Sequence, residues 1–240
     1  RYDKSRNSAP GKELTPQMTS KSQQAQVKIL AHFSRLCIEQ GYSKTTMRQL
    51  AEACGMSRGH IAFYYKRKDD LLLALIDAFS AQVDALVAGA GDTVPDPATR
   101  FFLRHLVQYY LVSVTSEAYQ VMAELADRPD YLDSRVERAY GGLLAATAAG
   151  QKPEVQEDVF VGCLCAIRSI YPLVKYWRAK GWRFNHLRLF QVFCDALVTQ
   201  SGLEGLEHCR CEALRWFDDI GTDALRAYVG DLRAFIIGAT

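Results

Sequence analysis

The side chains of this 240-residue chain best arranged to grip a polyanion lie between Thr45 and Lys68, where Arg48, Arg58, Lys66, Arg67 and Lys68 face a single acid, Glu52. Within that stretch Arg58, Gly59, His60, Phe63 and Tyr64 offer small, polar or flat groups. Ile61 and Tyr65, four residues apart, share the opposite side of a helix. A short helix with small residues at its start can enter the DNA major groove end-on, while flanking hydroxyl and ammonium groups hold phosphates. The chemistry so implied is non-covalent recognition of double-stranded DNA. The five histidines are scattered, and no Gly-x-Ser-x-Gly, P-loop, His-Glu-x-x-His or Cys-x-x-Cys pattern offers a catalytic centre, so neither an enzyme nor a cofactor is expected.

Helical periodicity positions these residues. Ile29, Leu30, Phe33, Leu36 and Cys37 recur at spacings of three and four, which predicts a helix over 19–40 with Thr19-Ser20 as caps and Gly41 as its stop. Met47, Leu50, Ala51 and Cys54 mark a second helix, capped by Thr45 or Thr46. Gly55-Met56 breaks it, and Ser57 opens a third that runs through Tyr65. A polar turn, 66–70, precedes a fourth helix, Leu71 to about Val87, that buries Leu72, Leu75, Ile76 and Phe79. Further helices are expected near 97–115, 116–128, 130–149, 154–180, 185–201, 203–220 and 222–237, with Pro172 bending or breaking the fourth of these. No sustained two-residue alternation occurs, so the expected class is all-α. It comprises a flexible basic arm at 1–18, a three-helix DNA-binding domain at 19–68 (helix-turn-helix 46–65) and a larger helical domain at 69–240.

Composition agrees with this division. The chain has 29 Lys and Arg against 27 Asp and Glu and is 49% hydrophobic, which excludes wholesale disorder. Residues 1–80 hold 13 of the basic and 7 of the acidic residues, so a basic front half precedes a mildly acidic remainder. No apolar run long enough to span a membrane and no basic-then-apolar leader is read, so neither a span nor a signal peptide is expected. Seven cysteines, an odd number, suit reduced thiols in a cytoplasmic protein.

The run Gly41-Tyr42-Ser43-Lys44-Thr45-Thr46-Met47-Arg48-Gln49-Leu50-Ala51-Glu52-Ala53-Cys54-Gly55-Met56-Ser57-Arg58-Gly59-His60-Ile61-Ala62-Phe63-Tyr64-Tyr65-Lys66-Arg67-Lys68-Asp69-Asp70-Leu71-Leu72 resembles the N-terminal domain of TetR-family transcriptional regulators, over roughly residues 22–80. Relatives often carry a tyrosine where this chain has Ala62, so one phosphate or base contact is missing. The resemblance implies a homodimeric DNA-binding repressor, released from a palindromic operator by a small hydrophobic or aromatic effector. It assigns Thr46 and Ser57 to phosphates, Ser57 also serving as a cap, and Arg58 to guanine O6 and N7. Gly59 permits close approach, or is a weak helix former tolerated near a helix start. His60 reads a base edge or phosphate, or is a solvated histidine. Phe63 packs on a thymine methyl or sugar, or supports the core. Tyr64, Lys68 and Arg48 suit phosphates, Lys68 alternatively being a solvated charge beside Asp69.

For the larger domain the resemblance implies an effector and a partner subunit. The candidate effector lining is Phe102, His105, Tyr109, Met122, Tyr140 and Tyr171, with core packing as the competing reading. The small-residue run Val159-Phe160-Gly162-Cys163-Ala166-Ile167-Ile170 is either a dimer face or intramolecular core. The segment 203–240 either enlarges that interface or covers the pocket. Cys163-x-Cys165 and His208-Cys209-x-Cys211 raise a metal- or thiol-responsive alternative. Cysteines two apart on a helix diverge, so no metal site is expected unless Cys209 lies in a loop, where Arg210 could activate the thiol. An all-helical enzyme or adaptor with a fortuitous helix-turn-helix is the other class.

Overall fold

The computed structural model describes residues 20–89, 94, 96–114, 116–147 and 152–220. The expected arm at 1–18 and the expected helix at 222–237 lie outside the described residues. Among the described residues there are helices and no strands: α1 (Ser20–Gln40), α2 (Met47–Cys54), α3 (Arg58–Tyr64), α4 (Lys68–Gly89), α5 (Pro97–Val114), α6 (Ser116–Leu125), α7 (Pro129–Thr147), α8 (Pro153–Ala179), α9 (His186–Ser201) and α10 (Leu206–Ile220). The fold is an N-terminal helix-turn-helix domain followed by a larger helical domain.

The small domain closes around Ile29, Phe33, Cys37, Leu50, Cys54, Ile61 and Leu71, all buried. α2 starts at a complete capping box. Thr46 Oγ1 accepts from Gln49 N at 3.2 Å, and the Gln49 side chain accepts from Thr46 N at 2.9 Å. α2 ends at Gly55, whose φ of 63° is left-handed; glycine takes that conformation without the Cβ penalty, and the chain turns directly into α3. α4 begins at Lys68, three residues earlier than its apolar pattern suggests. Asp70 Oδ2 accepts from Arg67 N at 2.9 Å, so what reads as a polar turn is already the cap and first turn.

In the large domain α8 and α9 pack along their length, and α7 and α6 also lie against α8. Val159, Gly162, Cys163, Ala166, Ile167 and Ile170 are buried and Phe160 half-buried, so the small-residue face is intramolecular core. A Cβ on Gly162 would lie 3.1 Å from the Leu197 carbonyl oxygen and 3.2 Å from Ser201 N, both backbone atoms of α9. Gly162→Ala gains up to about 1 kcal/mol of helix propensity, but overpacking against a backbone costs about 1–3 kcal/mol. The expected net result is a loss of about 1 kcal/mol, read by chemical denaturation; a more stable variant would show that α9 can give way. α8 continues through Pro172 as one helix, so of the expected bend or break the break does not occur.

The expectation of no membrane-length helix needs correction. Lys68–Ala88 and Pro153–Ala179 are both long and apolar enough to cross a membrane by length and composition. Neither helix is an uninterrupted apolar run, because scattered charges such as Asp77, Asp84 and Arg168 break each one without lowering its mean hydropathy enough. In the fold, α8 spends its apolar residues on α9 and α7, which is how a core helix passes the same test.

α10 packs against α5. Phe217 meets Tyr110 edge-on at 5.4 Å, and Leu206 and Ala213 are buried. The described part of the C-terminal extension therefore covers α5. Cys209 sits within α10, not in a loop; burial, aided by its hydrogen bond to Asp96 Oδ2 at 3.3 Å, raises its thiol pKa, contrary to an activated cysteine. Burial likewise pushes Cys163 up to about 12. Among the described residues no group of His, Cys, Asp or Glu side chains could hold a metal ion.

His105 is buried in α5 with its ring stacked 4.5 Å from Phe193, and its Nδ1 donates to the Phe101 carbonyl at 2.8 Å. Burial, with Arg104 and Arg135 nearby, holds its pKa well below the usual histidine value, so it is neutral in the fold. A lowered folded pKa means that the unfolded chain takes up the extra proton. The stabilisation is whole above the unfolded pKa of about 6.5 and is lost as pH falls below it, at up to about 1.4 kcal/mol per pH unit. His105→Phe is expected to flatten that part of the pH dependence between pH 7.5 and 5. Equal slopes in the variant and the parent would show that His105 does not carry it.

Candidate nucleic-acid interface

α3 is held from one side only. Ile61 is fully buried and Tyr65, its C-cap, is 9% exposed, so the inner face is fixed in the small-domain core, with α2 packed against the helix. Ser57 caps the helix, its Oγ accepting from His60 N at 3.1 Å. Arg58, Gly59, His60 and Ala62 are exposed, and Phe63 is 80% exposed, an unusual position for a large apolar ring. Tyr64 is half-buried between its neighbours, with ring centroids 5.1 Å from Phe63 and 5.6 Å from His60. The arrangement is a small aromatic ledge beside an unpaired arginine: among the described contacts Arg58 has no acidic partner.

The remaining sequence-derived candidates divide. Thr46 lies at the exposed N-terminus of α2, although its hydroxyl is already engaged with Gln49. Arg48 extends from the same helix, 79% exposed, in an i,i+4 pair with Glu52 at 3.0 Å, a solvated pairing that a phosphate could outcompete. Lys68 is turned inward. Its Nζ donates to the Tyr42 carbonyl at 3.0 Å and lies 4.1 Å from the centre of the Tyr42 ring, so its visible work is to hold the α1–α2 loop.

That loop carries residues sequence reasoning missed. Tyr42 Oη donates to Asp69 Oδ1, while Arg128, in the α6–α7 corner, pairs with Asp69 at 2.8 Å and donates to Tyr42 Oη at 3.1 Å. Tyr42 N donates to Glu124 Oε2 at 2.8 Å. The Arg128 guanidinium and the Tyr42 hydroxyl hold the Asp69 carboxyl below its usual range. A void of about 10 Å³ remains where Tyr42, Leu72, Val121, Glu124, Leu125 and Arg128 meet, too little for a comfortable water. The large domain thus grips the small one at the base of α2 and the start of α4.

The proposed effector lining lies deep. Phe102, His105, Tyr109, Met122 and Tyr171 are buried, and Tyr140 is half-buried edge-on to Phe160 at 5.4 Å. Of these, His105 borders a described cavity, one of about 170 Å³ shared with Asp84, Phe101, Arg104, Arg135, Arg138, Ala139 and Gly142.

Residues 29–75 match the model of the bacterial regulatory proteins, tetR family. The N-terminal domain is a TetR-family DNA-binding domain. Solved structures similar over about three quarters of the chain include a TetR-like transcriptional regulator from Rhodococcus sp. RHA1, at 18% identity over 75% of this chain and 97% of that one, TM-score 0.44. FadR from Bacillus subtilis, crystallised with stearoyl-CoA, gives 14% identity over 74% and 98%, TM-score 0.46. Mycobacterium smegmatis AmtR gives 20% over 80% and 98%, TM-score 0.34. No curated protein matches. The TetR-type assignment therefore stands on the match over 29–75 and on the helices it covers, from within α1 to within α4.

Proposed function

We propose that the chain is a cytoplasmic, homodimeric transcriptional regulator, a repressor that an effector releases from a palindromic operator. The observation that carries this reading is the one-sided burial of α3: Ile61 and Tyr65 anchor it while Arg58, Gly59, His60 and Phe63 project outward. A side chain destined for the core would not leave a phenyl ring 80% exposed on the same short helix as an exposed arginine. Arg58 reads guanine, Phe63 packs on a thymine methyl or sugar, His60 and Tyr64 contact backbone or base edge, and Thr46, Arg48 and Ser57 hold phosphates. Lys68 contributes by fixing the loop that carries α2.

One short recognition helix reads too few base pairs for specificity, so two copies on adjacent half-sites are required, and two-fold symmetry makes the site an inverted repeat. Effector binding acts by favouring a spacing of the two α3 helices that no longer fits both half-sites, which demands unequal affinity for the two states. Selection from a random duplex library tests the reading. The expected enrichment is an inverted repeat with half-sites about 10 base pairs apart, or a multiple of that; a single unrepeated motif, or no enrichment, contradicts it.

A further inference from the structure

Arg135, on α7, is 4% exposed and has no acidic partner among the described residues. Its Nη2 donates to Gln108 Oε1 at 3.1 Å, while Nε and Nη1 donate to nothing described. Gln108 is neutral, and the strongest electrostatic neighbours of Arg135 are the hydroxyl-bearing Tyr131, Tyr171 and Tyr109, of which Tyr171 also lies within side-chain hydrogen-bonding reach; none of them carries a carboxylate. A buried cation left with two donors idle is costly unless something else supplies the negative charge. Arg135 is one of the residues lining the cavity of about 170 Å³ between α4, α5 and α7, which Arg104 and Arg138 also line. The cavity shares Asp84, Phe101, Arg104 and Gly142 with an outer groove of about 290 Å³ whose other walls include Val87, Pro97, Ala145 and Ala146.

From this geometry we infer that the α4–α5–α7 cavity binds a small organic acid, its carboxylate on Arg135 and its apolar tail in the outer groove against Phe101. The inference deepens the proposed function by giving the effector a chemical class and a site, and it rests on that reading for its regulatory meaning. A carboxylate oxygen accepting from one of the idle guanidinium nitrogens makes a charge-assisted hydrogen bond and supplies the missing negative charge. It also competes for two neighbouring cations that now hold α4: Arg104 pairs with Asp84, and Arg138 with Asp77 at 2.6 Å. Drawing either arginine toward the ligand frees the helix that leads from the DNA-binding domain.

Calorimetric titration with benzoate, 4-phenylbutyrate and octanoate, each beside its primary alcohol, tests the site on the full chain. At least one acid is expected to bind tenfold or more tightly than its alcohol. Arg135→Gln should erase that preference. Gly142→Leu, which fills the passage between cavity and groove without touching a charge and removes a glycine from a helix, should abolish binding while the protein stays folded. Asp84→Asn, which removes the competing carboxylate, should tighten acid binding two- to tenfold. The inference is overturned if no acid binds at 10 mM, if acids and alcohols bind alike, if Arg135→Gln keeps the preference, or if Asp84→Asn leaves acid affinity unchanged or lower. The two readings fail separately: operator binding without an Arg135-dependent acid site removes this inference alone, whereas an acid site in a protein that selects no duplex removes the regulator.

Discussion

Arg58→Ala is expected to weaken operator binding by about 1–3 kcal/mol, roughly 5- to 150-fold, while leaving affinity for random duplex within about twofold to threefold. The asymmetry follows from the position of the side chain. Arg58 opens α3, is exposed, and pairs with no acid among the described contacts, so its removal costs the fold almost nothing. Its guanidinium is free to make two parallel bonds to one guanine, and that contact exists only on the correct sequence. Arg48→Ala offers the opposite signature. It should weaken binding to all duplexes alike and reduce the slope of log affinity against log salt by about one unit, because a phosphate contact releases a counterion whatever the sequence. Fluorescence anisotropy at several salt concentrations reads both. An Arg58→Ala protein that still discriminates operator from random duplex as the parent does would remove the base-reading role.

Arg128→Ala is expected to loosen the grip of the large domain on the small one by about 1–2 kcal/mol, a factor of roughly 5–30 in local opening. Arg128 is 27% exposed and Asp69 40%, so solvent screens their pairing and the figure is kept below that for a buried ion pair. What raises it above an ordinary surface pair is the second bond to Tyr42 Oη and the tight contact around Leu72, Val121 and Leu125. The Tyr42 amide, donating to Glu124 Oε2, is a built-in reporter: its hydrogen exchange should accelerate by that factor, together with the first turn of α4. Amides in the α8–α9 core should be unchanged. Equal protection of Tyr42 in both proteins would show that the corner bears no load between the domains.

Much of this was legible in the sequence, and the exceptions have physical causes. Apolar spacing alone sorted α3 into an inner side, Ile61 and Tyr65, and an outer side. It worked because a seven-residue helix with one buried edge leaves little ambiguity. Helix starts were less legible: Lys68-Asp69-Asp70 has the composition of a turn, and only the Asp70 bond to the Arg67 amide shows the helix already under way. Small residues at Gly162, Cys163 and Ala166 allow close packing with any helix, so the sequence could not say whether the neighbour was α9 or a second subunit.

Arg135 escaped because a lone arginine on a helix is usually solvated. Its register was the available signal, since Leu132, Arg135, Val136, Ala139 and Leu143 fall on one i, i+3, i+4 stripe and all are buried. Gln108, set between Val107 and Tyr109 in a helix buried nearly all round, was a second clue. Tyr42 was hidden differently. Its partners come from two distant places in the chain, Asp69 at the start of α4 and Glu124 with Arg128 at the α6–α7 corner, and no local pattern announces such a meeting.

The central claim is that the outward face of α3 reads bases in the major groove, and guanine-N7 methylation interference on the selected operator tests it most directly. With the parent protein, methylating one guanine in each half-site should block binding at symmetric positions; with Arg58→Ala those same two positions should become indifferent while other interference persists. An identical interference pattern for both proteins, or interference confined to minor-groove adenine N3, would contradict the claim.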